Sequence, residues 1–392
     1  FRYVRLDPEE KFLNPDATVL LDAFSFIDKS SGFYTMKLNA NQPPAKILME
    51  PFDYSNPQKS EGSTRLILTR SNFRECPDLY VTDMTMAKLE RISDINPQQK
   101  EYLWGSVELI SWIAADGKPI EGLLYKPENF DPKKKYPLIS YFYERMSDNL
   151  HRYYAPSPPS SSINVALYVS RGYVVFEPDI RYQIGYPGKS AHDCIIPGIL
   201  KLIQSGFIDS SRIGLQGHSW GGYQVAYLVA NSKMFAAAEA GAPVANMTSA
   251  YGGIRWESGV SRMFQYEKTQ SRIGATLWEK PTLYVENSAL FRAPNIETPL
   301  LMLHNDADGA VPWYQGIEMF SALRRLGKPV WMLTYNNEAH GLRQRKNQKD
   351  FAIRMLQFFD HYLMDQPAPV WMTKGIPAIE KGKTRGHELD VR

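Results

Sequence analysis

Cysteine is scarce in this sequence of 392 residues, which contains only Cys76 and Cys194. Two cysteines exclude a disulfide-rich scaffold, and they leave the redox compartment of the protein open. No group of cysteine, histidine and acidic residues has the spacing of a metal site. We therefore expect neither a metal nor any other cofactor.

Long apolar runs and a strong net charge are missing as well. No apolar stretch approaches the length of a membrane-spanning helix, so we expect no membrane insertion. The formal net charge of +3 is spread along the chain and gives no basis for a nucleic-acid partner. The sequence leaves the localisation unknown, with a soluble periplasmic or cytoplasmic protein as the candidates, and it leaves open whether the protein forms a homo-oligomer.

One short glycine-rich segment stands out from the rest. Residues 217–221 read Gly-His-Ser-Trp-Gly, after a strand-like run at 212–216 and before a helix-like run at 223–230. In a strand, turn and helix of this kind, small neighbours allow a strained serine to be exposed as a nucleophile. Ser219 is therefore a candidate nucleophile. The alternative is a glycine-rich turn that merely contains a serine.

A serine nucleophile needs a base, and in the chain order serine, acid, histidine of α/β-hydrolases the candidate bases are His340, His361 and His387. His361 lies within an amphipathic helical pattern, and His387 lies in a charged tail without periodicity. His340 follows the strand-like run 330–335 by a short polar loop, which is where catalytic groups are common. We expect His340 to be the base, and a loop histidine without a catalytic role is the alternative.

The base in turn needs an acid that orients it. Asp306 and Asp308 are the two aspartates between the candidate serine and histidine, and both follow the apolar run 299–303. Spacing does not choose between them, because either aspartate is also suited to forming a turn. Glu338, two residues before the histidine, is a third and weaker candidate.

Three motifs together resemble the catalytic domain of the prolyl oligopeptidase family of serine peptidases, particularly its dipeptidyl-peptidase and acylaminoacyl-peptidase branches. They are Gly-His-Ser-Trp-Gly-Gly-Tyr at 217–223, the loop His-x-x-x-Asp at 304–308 with Ala-Val-Pro at 310–312, and Glu-Ala-His-Gly at 338–341. The resemblance covers about residues 105–365. It implies that Ser219 is the nucleophile, Asp308 the acid and His340 the base.

The resemblance also implies an oxyanion site and a substrate pocket. Tyr143, which follows Lys-Lys-Tyr-Pro at 134–137, takes the position of the oxyanion tyrosine, and the Trp220 amide would be the second donor. The pocket for the residue before the scissile bond would have aromatic and aliphatic walls, suited to proline, alanine or another modest apolar residue. Its residues would be Trp220, Val244, Met247, Tyr251 and Val311. Ordinary core packing is the alternative for each of them.

The sequence departs from the family at three places. Asn305 replaces a glycine that usually follows the loop histidine, and Gly309 replaces a second acid that often follows the catalytic one. Residues 144–145 are Glu-Arg, where small residues or proline are common. These departures leave the triad intact and put the shape of the pocket in doubt.

Strands that alternate with helices predict an α/β-hydrolase fold with a mostly parallel, doubly wound sheet over residues 101–365. We expect a hairpin around Asp116 and Gly117, and a tail at the surface over residues 366–392. The predicted strands are 107–113, 120–125, 137–143, 173–177, 235–240, 299–303 and 330–335, with helices at 165–170 and around Phe320.

Residues 1–100 read as a small β-rich region. Similar strands around Tyr34 and Tyr80 lie about 46 residues apart, within the range of propeller blades. Two blades do not close a propeller, and the chain begins with Phe1 rather than methionine. We therefore expect this sequence to be the C-terminal part of a longer polypeptide, and the sequence leaves open whether the missing N-terminal region completes a propeller or carries a signal peptide.

The sequence thus predicts a serine peptidase that hydrolyses short peptides through an acyl-enzyme. An esterase or other acyl hydrolase of the same fold is the main alternative, because the same groups cleave esters. A binding protein without catalytic activity is a more distant one.

Overall fold

The structure, a computed structural model, describes residues 1–391. The chain divides into two compact units. The first contains Phe1–Leu109 together with Ser147–Ala155, and the second contains Ile110–Met146 and the chain from Pro156 onward. The segment from 147 to 155 lies against the first unit, where the Tyr153 ring stacks on Trp104 with centroids 5.4 Å apart.

The first unit consists of two four-stranded antiparallel sheets, in which consecutive strands are neighbours. The first sheet contains β1 (Arg2–Tyr3), β2 (Thr18–Phe24), β3 (Ser31–Lys37) and β4 (Ala45–Glu50). The second contains β5 (Asp53–Lys59), β6 (Arg65–Ser71), β7 (Asp78–Asp83) and β8 (Glu90–Arg91). Tyr34 and Tyr80 both lie in the third strand of their sheet, as expected for two propeller blades.

The second unit is built on one eight-stranded sheet, whose spatial order is β16-β15-β14-β13-β11-β12-β10-β9. All pairings from β12 through β16 are parallel, and β10 runs antiparallel to β12. The strands are β9 (Ser106–Ile113), β10 (Pro119–Lys126), β11 (Tyr136–Tyr141), β12 (Val174–Pro178), β13 (Ile208–His218), β14 (Ala237–Gly241), β15 (Leu300–Leu303) and β16 (Val330–Leu333).

Helices lie between the parallel strands, where a parallel sheet needs crossover connections, and two further helices follow the last strand. They are α1 (Val165–Ser170), α2 (Pro187–Gln204), α3 (Trp220–Asn231), α4 (Met247–Tyr251), α5 (Met263–Glu267), α6 (Pro281–Glu286), α7 (Tyr314–Arg325), α8 (Arg345–Met364) and α9 (Val370–Thr373). Short 3-10 helices occur at Pro97–Glu101, Ser147–Asn149, Ala289–Asn295 and Ala378–Glu380.

The predicted fold class is confirmed: a mostly parallel sheet of the α/β-hydrolase type follows a β-rich region that resembles part of a propeller. The core of the sheet is almost free of solvent, since Leu138, Leu215 and Leu300 on three of its strands are all fully buried. Parallel strands that are buried on both faces consist of continuous apolar runs, and such runs allow the strands to be predicted from the sequence.

The segment after Asp365 packs closely on the helix that precedes it. Trp371 is 4% exposed, and its indole nitrogen donates to Gln357 Oε1 on α8 over 2.9 Å. The Arg354 guanidinium lies over the Trp371 ring, 5.4 Å from its centroid. This part of the chain therefore contributes an aromatic anchor to the second unit.

Within residues 1–391, no helix combines the length and the apolar character needed to cross a bilayer. Over the same residues, no cluster of three or more histidine, cysteine or acidic side chains is arranged to hold a metal ion.

Candidate active site

Ser219 lies in a sharp turn between the end of β13 and the start of α3. Its backbone has a φ of 61° and a ψ of −116°, a region that residues with a side chain rarely adopt. Its amide donates to Gly241 O over 2.7 Å, and its own carbonyl accepts from the Tyr223 amide over 2.9 Å. These two hydrogen bonds hold the strained turn, one to the neighbouring strand β14 and the other to the first turn of α3.

Small residues make this turn possible. A Cβ added at Gly217 would lie 2.6 Å from the Gly221 backbone, and one added at Gly221 would lie 2.5 Å from Phe142 O. Real Cβ atoms do not approach backbone atoms this closely. The glycines of the pentapeptide are therefore required by close packing against the helix and against the end of β11.

Asp308 is completely buried in the loop that follows β15. Its Oδ1 accepts from the Ala310 and Val311 amides, each over 2.9 Å, and its Oδ2 accepts from His340 Nδ1 over 2.8 Å. Burial alone would raise the pKa of this carboxyl, but the hydrogen bonds from His340 and from the backbone hold the pKa below its usual range. The carboxylate is therefore ionised at neutral pH.

The ionised carboxylate fixes the protonation of the His340 ring. An ionised carboxylate only accepts hydrogen bonds, so Nδ1 carries the proton that it donates. In the neutral ring, the lone pair then lies on Nε2, as in a general base held by an acid. The His340 ring lies beside the turn of Ser219, since its centroid is 4.7 Å from that of His218.

Asp306, the other candidate acid, does not contact His340. It accepts from Asn336 Nδ2 and from the Asn337 amide, each over 2.7 Å. Asp306 therefore links the loop after β15 to the loop after β16. Of the two aspartates, the structure brings Asp308 to the histidine.

Glu338, the third candidate, has a different environment. Its carboxylate is buried and accepts from the Arg343 amide over 2.8 Å, the Gln344 amide over 3.0 Å and Asn347 Nδ2 over 2.6 Å. Burial raises the pKa of this carboxyl, and the three donors more than offset the effect, so the pKa is lowered overall. Glu338 fastens the histidine loop to the start of α8 and does not contact the imidazole.

Asn305 joins the acid loop to the histidine loop. Its Nδ2 donates to Ala339 O over 2.8 Å, and its Oδ1 accepts from the Tyr335 amide over 3.2 Å. The Ala339 carbonyl belongs to the residue directly before His340. Asparagine at this position thus adds a link between the two loops that the family's usual glycine, which has no side chain, cannot form.

His218, between the strand and Ser219, does not act as a second base. Burial and the nearby His340 lower the pKa of its imidazole to about 3. The ring is therefore neutral over the physiological range. It lies against Gly241, where an added Cβ would approach His218 Nδ1 to 2.4 Å.

Tyr143 lies near the start of α3, with its ring Cδ2 3.8 Å from the place where a Cβ of Gly221 would stand. The side chain is 37% exposed, and its hydroxyl accepts from Gln270 Nε2 over 2.8 Å. Because this bond uses an acceptor lone pair, the hydroxyl proton can be donated elsewhere. The sequence did not indicate that Gln270 contacts Tyr143, because Gln270 lies in a segment without a motif or periodicity.

The five predicted pocket residues belong to one buried cluster. Each of them is 3% exposed or less, and the cluster also includes Tyr223, Tyr266 and Tyr284. The indole of Trp220 stacks on Tyr223 with centroids 4.4 Å apart and donates to Tyr182 Oη over 2.9 Å. Sequence reasoning thus selected residues that lie together, and their role in binding a substrate stays a prediction.

Comparison with known proteins identifies the family of this chain. A family model described as the prolyl oligopeptidase family matches residues 159–366, more than half of the chain. The chain belongs to the prolyl oligopeptidase family. The resemblance inferred from the motifs is therefore confirmed, and the family match spans the serine turn, the acid loop and the histidine loop.

Among curated relatives, the chain is 24% identical over 333 residues to dipeptidyl-peptidase 5 of Porphyromonas gingivalis, covering 76% of this chain and 44% of that protein. It is 27% identical over 277 residues to human dipeptidyl peptidase 8, covering 66% of this chain and 28% of that protein. The chain thus spans less than half the length of these relatives.

Solved structures share the fold. An acylaminoacyl peptidase of Pyrococcus horikoshii superposes with a TM-score of 0.71 at 20% identity, over 89% of this chain and 55% of that one. A dipeptidyl peptidase 4 of Porphyromonas gingivalis gives a TM-score of 0.69 at 20% identity, over 90% of this chain and 49% of that one.

Proposed function

We propose that this chain is the catalytic part of a serine peptidase that cleaves short peptides through an acyl-enzyme. The observation that carries the proposal is the buried Asp308 carboxylate, which holds His340 Nδ1 at 2.8 Å beside the strained turn of Ser219. A triad is recognised by such geometry and by the roles of its members rather than by sequence position.

In the first half of the reaction, Ser219 Oγ attacks the peptide carbonyl while His340 Nε2 takes the hydroxyl proton. Asp308 keeps the imidazole oriented and stabilises the imidazolium that forms. The Tyr143 hydroxyl and the Trp220 amide donate to the negatively charged oxygen of the tetrahedral intermediate. Removal of one such donor typically lowers turnover by about a hundredfold to a thousandfold.

The intermediate then collapses, and His340 returns the proton to the departing amine. Water deacylates the ester on Ser219 by the same steps, with His340 as base and then as acid. The expected residue before the scissile bond is proline, alanine or another modest apolar residue, in keeping with the aromatic and aliphatic cluster. The names of the dipeptidyl-peptidase and acylaminoacyl-peptidase relatives favour cleavage near the N-terminus of short peptides.

The test compares peptide and ester substrates with the same acyl group. We expect the protein to hydrolyse both peptide amides and esters, and we expect Ser219→Ala to abolish both activities. Turnover of esters alone would replace the peptidase by an acyl hydrolase of the same fold. Peptide cleavage that survives in Ser219→Ala would contradict the proposed nucleophile.

A further inference from the structure

Arg262 is the feature of the second unit that neither the fold nor the proposed catalytic groups explain. The residue is 1% exposed, and its guanidinium Nε and Nη1 are shielded from solvent. Among residues 1–391, neither of these nitrogens has a hydrogen-bond partner, and no carboxylate forms an ion pair with the side chain. The guanidinium is thus a buried cation without an anion.

A buried, unpaired guanidinium is costly. Arginine stays protonated at every physiological pH, so it cannot relieve the cost by losing a proton. Buried charges in proteins are therefore normally paired. The Tyr266 ring, whose centroid lies 5.8 Å from the guanidinium carbon, gives at most a weak cation–π contact at this distance.

The position of Arg262 connects it to the predicted substrate pocket. Tyr266, beneath the guanidinium, belongs to the same buried cluster as the pocket residues, and its ring contacts that of Tyr251 with centroids 6.3 Å apart. On its other side, the Arg262 side chain passes Gly253, where an added Cβ would lie 3.5 Å from Arg262 Cδ and 3.4 Å from Tyr314 Oη. Tyr314 begins α7, directly after the loop that contains Asp308.

We propose that Arg262 is an anion-binding residue of this pocket and that it binds a carboxylate carried by the peptide substrate. The guanidinium presents several donors in a planar fork that matches a carboxylate, whereas the surrounding rings would accommodate the apolar stem that carries it. The inference rests on the proposed peptidase function and adds a charged determinant to a pocket that the sequence predicts to be apolar.

The carboxylate has two sources in a peptide. One is the side chain of an acidic residue before the scissile bond, and the other is the C-terminal carboxylate of a short peptide. The test therefore uses two pairs of substrates. The first pair carries glutamate or glutamine before a chromogenic amide, and the second pair consists of one tripeptide with a free or an amidated C-terminus.

For the wild-type protein, we expect kcat/KM to favour the carboxylate member of at least one pair by about tenfold to a hundredfold, the range expected for a hydrogen bond to a charged group. Arg262→Met should remove this preference, so that the ratio of kcat/KM between the two members of the pair approaches one. Arg262→Lys, which keeps the charge but loses the fork, should retain part of the preference. Arg324→Gln removes an exposed arginine on α7 and should change neither ratio.

Two results would overturn the inference while leaving the peptidase proposal intact. In the first, the wild-type protein cleaves both members of each pair equally well, an outcome that does not depend on whether any variant folds. In the second, the preference survives in a folded Arg262→Met protein, as judged by its thermal unfolding midpoint. A failure of the wild-type protein to cleave any of the four substrates or their ester analogues would count against the proposed function itself.

Discussion

The turn of Ser219 and the loop of His340 are held in different ways. The serine turn is fixed by backbone: glycines that allow close approach, a strained φ of 61°, and hydrogen bonds to Gly241 and Tyr223. The histidine loop is fixed by side chains, because Asn305 and Glu338 both bind its backbone. The serine turn is therefore held by backbone atoms, whereas the histidine loop also depends on the side chain of Asn305, which lies 34 positions before Ala339 in the sequence.

The largest effect on turnover is expected when the backbone of the serine turn is disturbed. In Gly221→Ala, the new methyl group would stand 2.5 Å from the backbone oxygen of Phe142, so a backbone segment would have to shift. We expect a loss of about 1 to 3 kcal/mol in the free energy of unfolding. Displacement of the serine should also lower kcat by about a hundredfold.

Gly252→Ala is the matched control, because an added Cβ at Gly252 meets no atom within 4 Å. This variant should unfold within about 0.5 kcal/mol of the wild-type protein, as ordinary surface substitutions do. Equal stability of the two alanine variants in chemical denaturation would show that close packing does not hold the serine turn.

On the histidine side, Glu338→Ala should leave two backbone amides and the Asn347 amide group without their acceptor. Loss of a charged acceptor of this kind costs about 2 kcal/mol. We expect kcat to fall about tenfold, because the histidine loop is then less firmly held. Glu338→Gln, which keeps an acceptor oxygen, should recover part of the lost stability and part of the lost kcat. Denaturant unfolding and steady-state kinetics measure the two effects. An unchanged kcat in Glu338→Ala would mean that the histidine loop does not need this anchor.

The stability of the second unit should depend on pH, because the strands beneath the serine turn contain a buried acid. Glu239 on β14 is completely buried, and burial raises the pKa of its carboxyl from 4.5 to about 8, although Gln216 Nε2 donates to it over 2.7 Å. The folded state therefore retains a proton that the unfolded state releases. The stability contributed by the protonated form is fully present below pH 4.5 and is lost as the pH rises through about 8.

Glu239→Gln imitates the protonated acid and should remove this dependence. Between the two pKa values, the wild-type protein should lose about 1.4 kcal/mol per pH unit relative to the variant. Unfolding free energies measured across this range test the expectation. Parallel stability curves for the two proteins would contradict a protonated Glu239.

The smallest effect is expected for Asn305→Ala, which removes one donor and one acceptor from the link between the acid and histidine loops. Each neutral hydrogen bond contributes about 1 kcal/mol, so a loss of about 1 to 2 kcal/mol in unfolding free energy should follow. We expect kcat to fall a few-fold and KM to change little, because the link positions His340 and does not contact substrate. A change confined to KM would assign Asn305 to substrate binding.

The sequence predicted the parts of the molecule that depend on local patterns. The helix α1 was predicted at its observed bounds, and β11, β12 and β15 within two residues at each end, because buried parallel strands are continuous apolar runs. The pentapeptide at 217–221 predicted the strained turn, because a strand, a sharp turn and a helix need small residues on both sides of the serine.

What the sequence did not predict depends on contacts between distant residues. Spacing could not separate Asp306 from Asp308, because the two aspartates differ in their partners in the loop after β16. Asp306 accepts from the Asn337 amide, whereas Asp308 accepts from His340. The bond from Gln270 to Tyr143 joins residues 127 positions apart and has no motif. Within the described part of the chain, Arg262 lacks a partner because of the residues that surround it in the fold. The sequence around an arginine in an irregular segment does not show whether its guanidinium is paired.

The central claim is that Ser219 is a nucleophile activated by the Asp308–His340 pair. The most direct measurement is covalent labelling by a fluorophosphonate, followed by mass spectrometry of the labelled peptide. We predict labelling of the wild-type protein at Ser219, no labelling of Ser219→Ala, and strongly slowed labelling of His340→Ala. A folded wild-type protein that does not react, or a label found on another residue, would contradict the account.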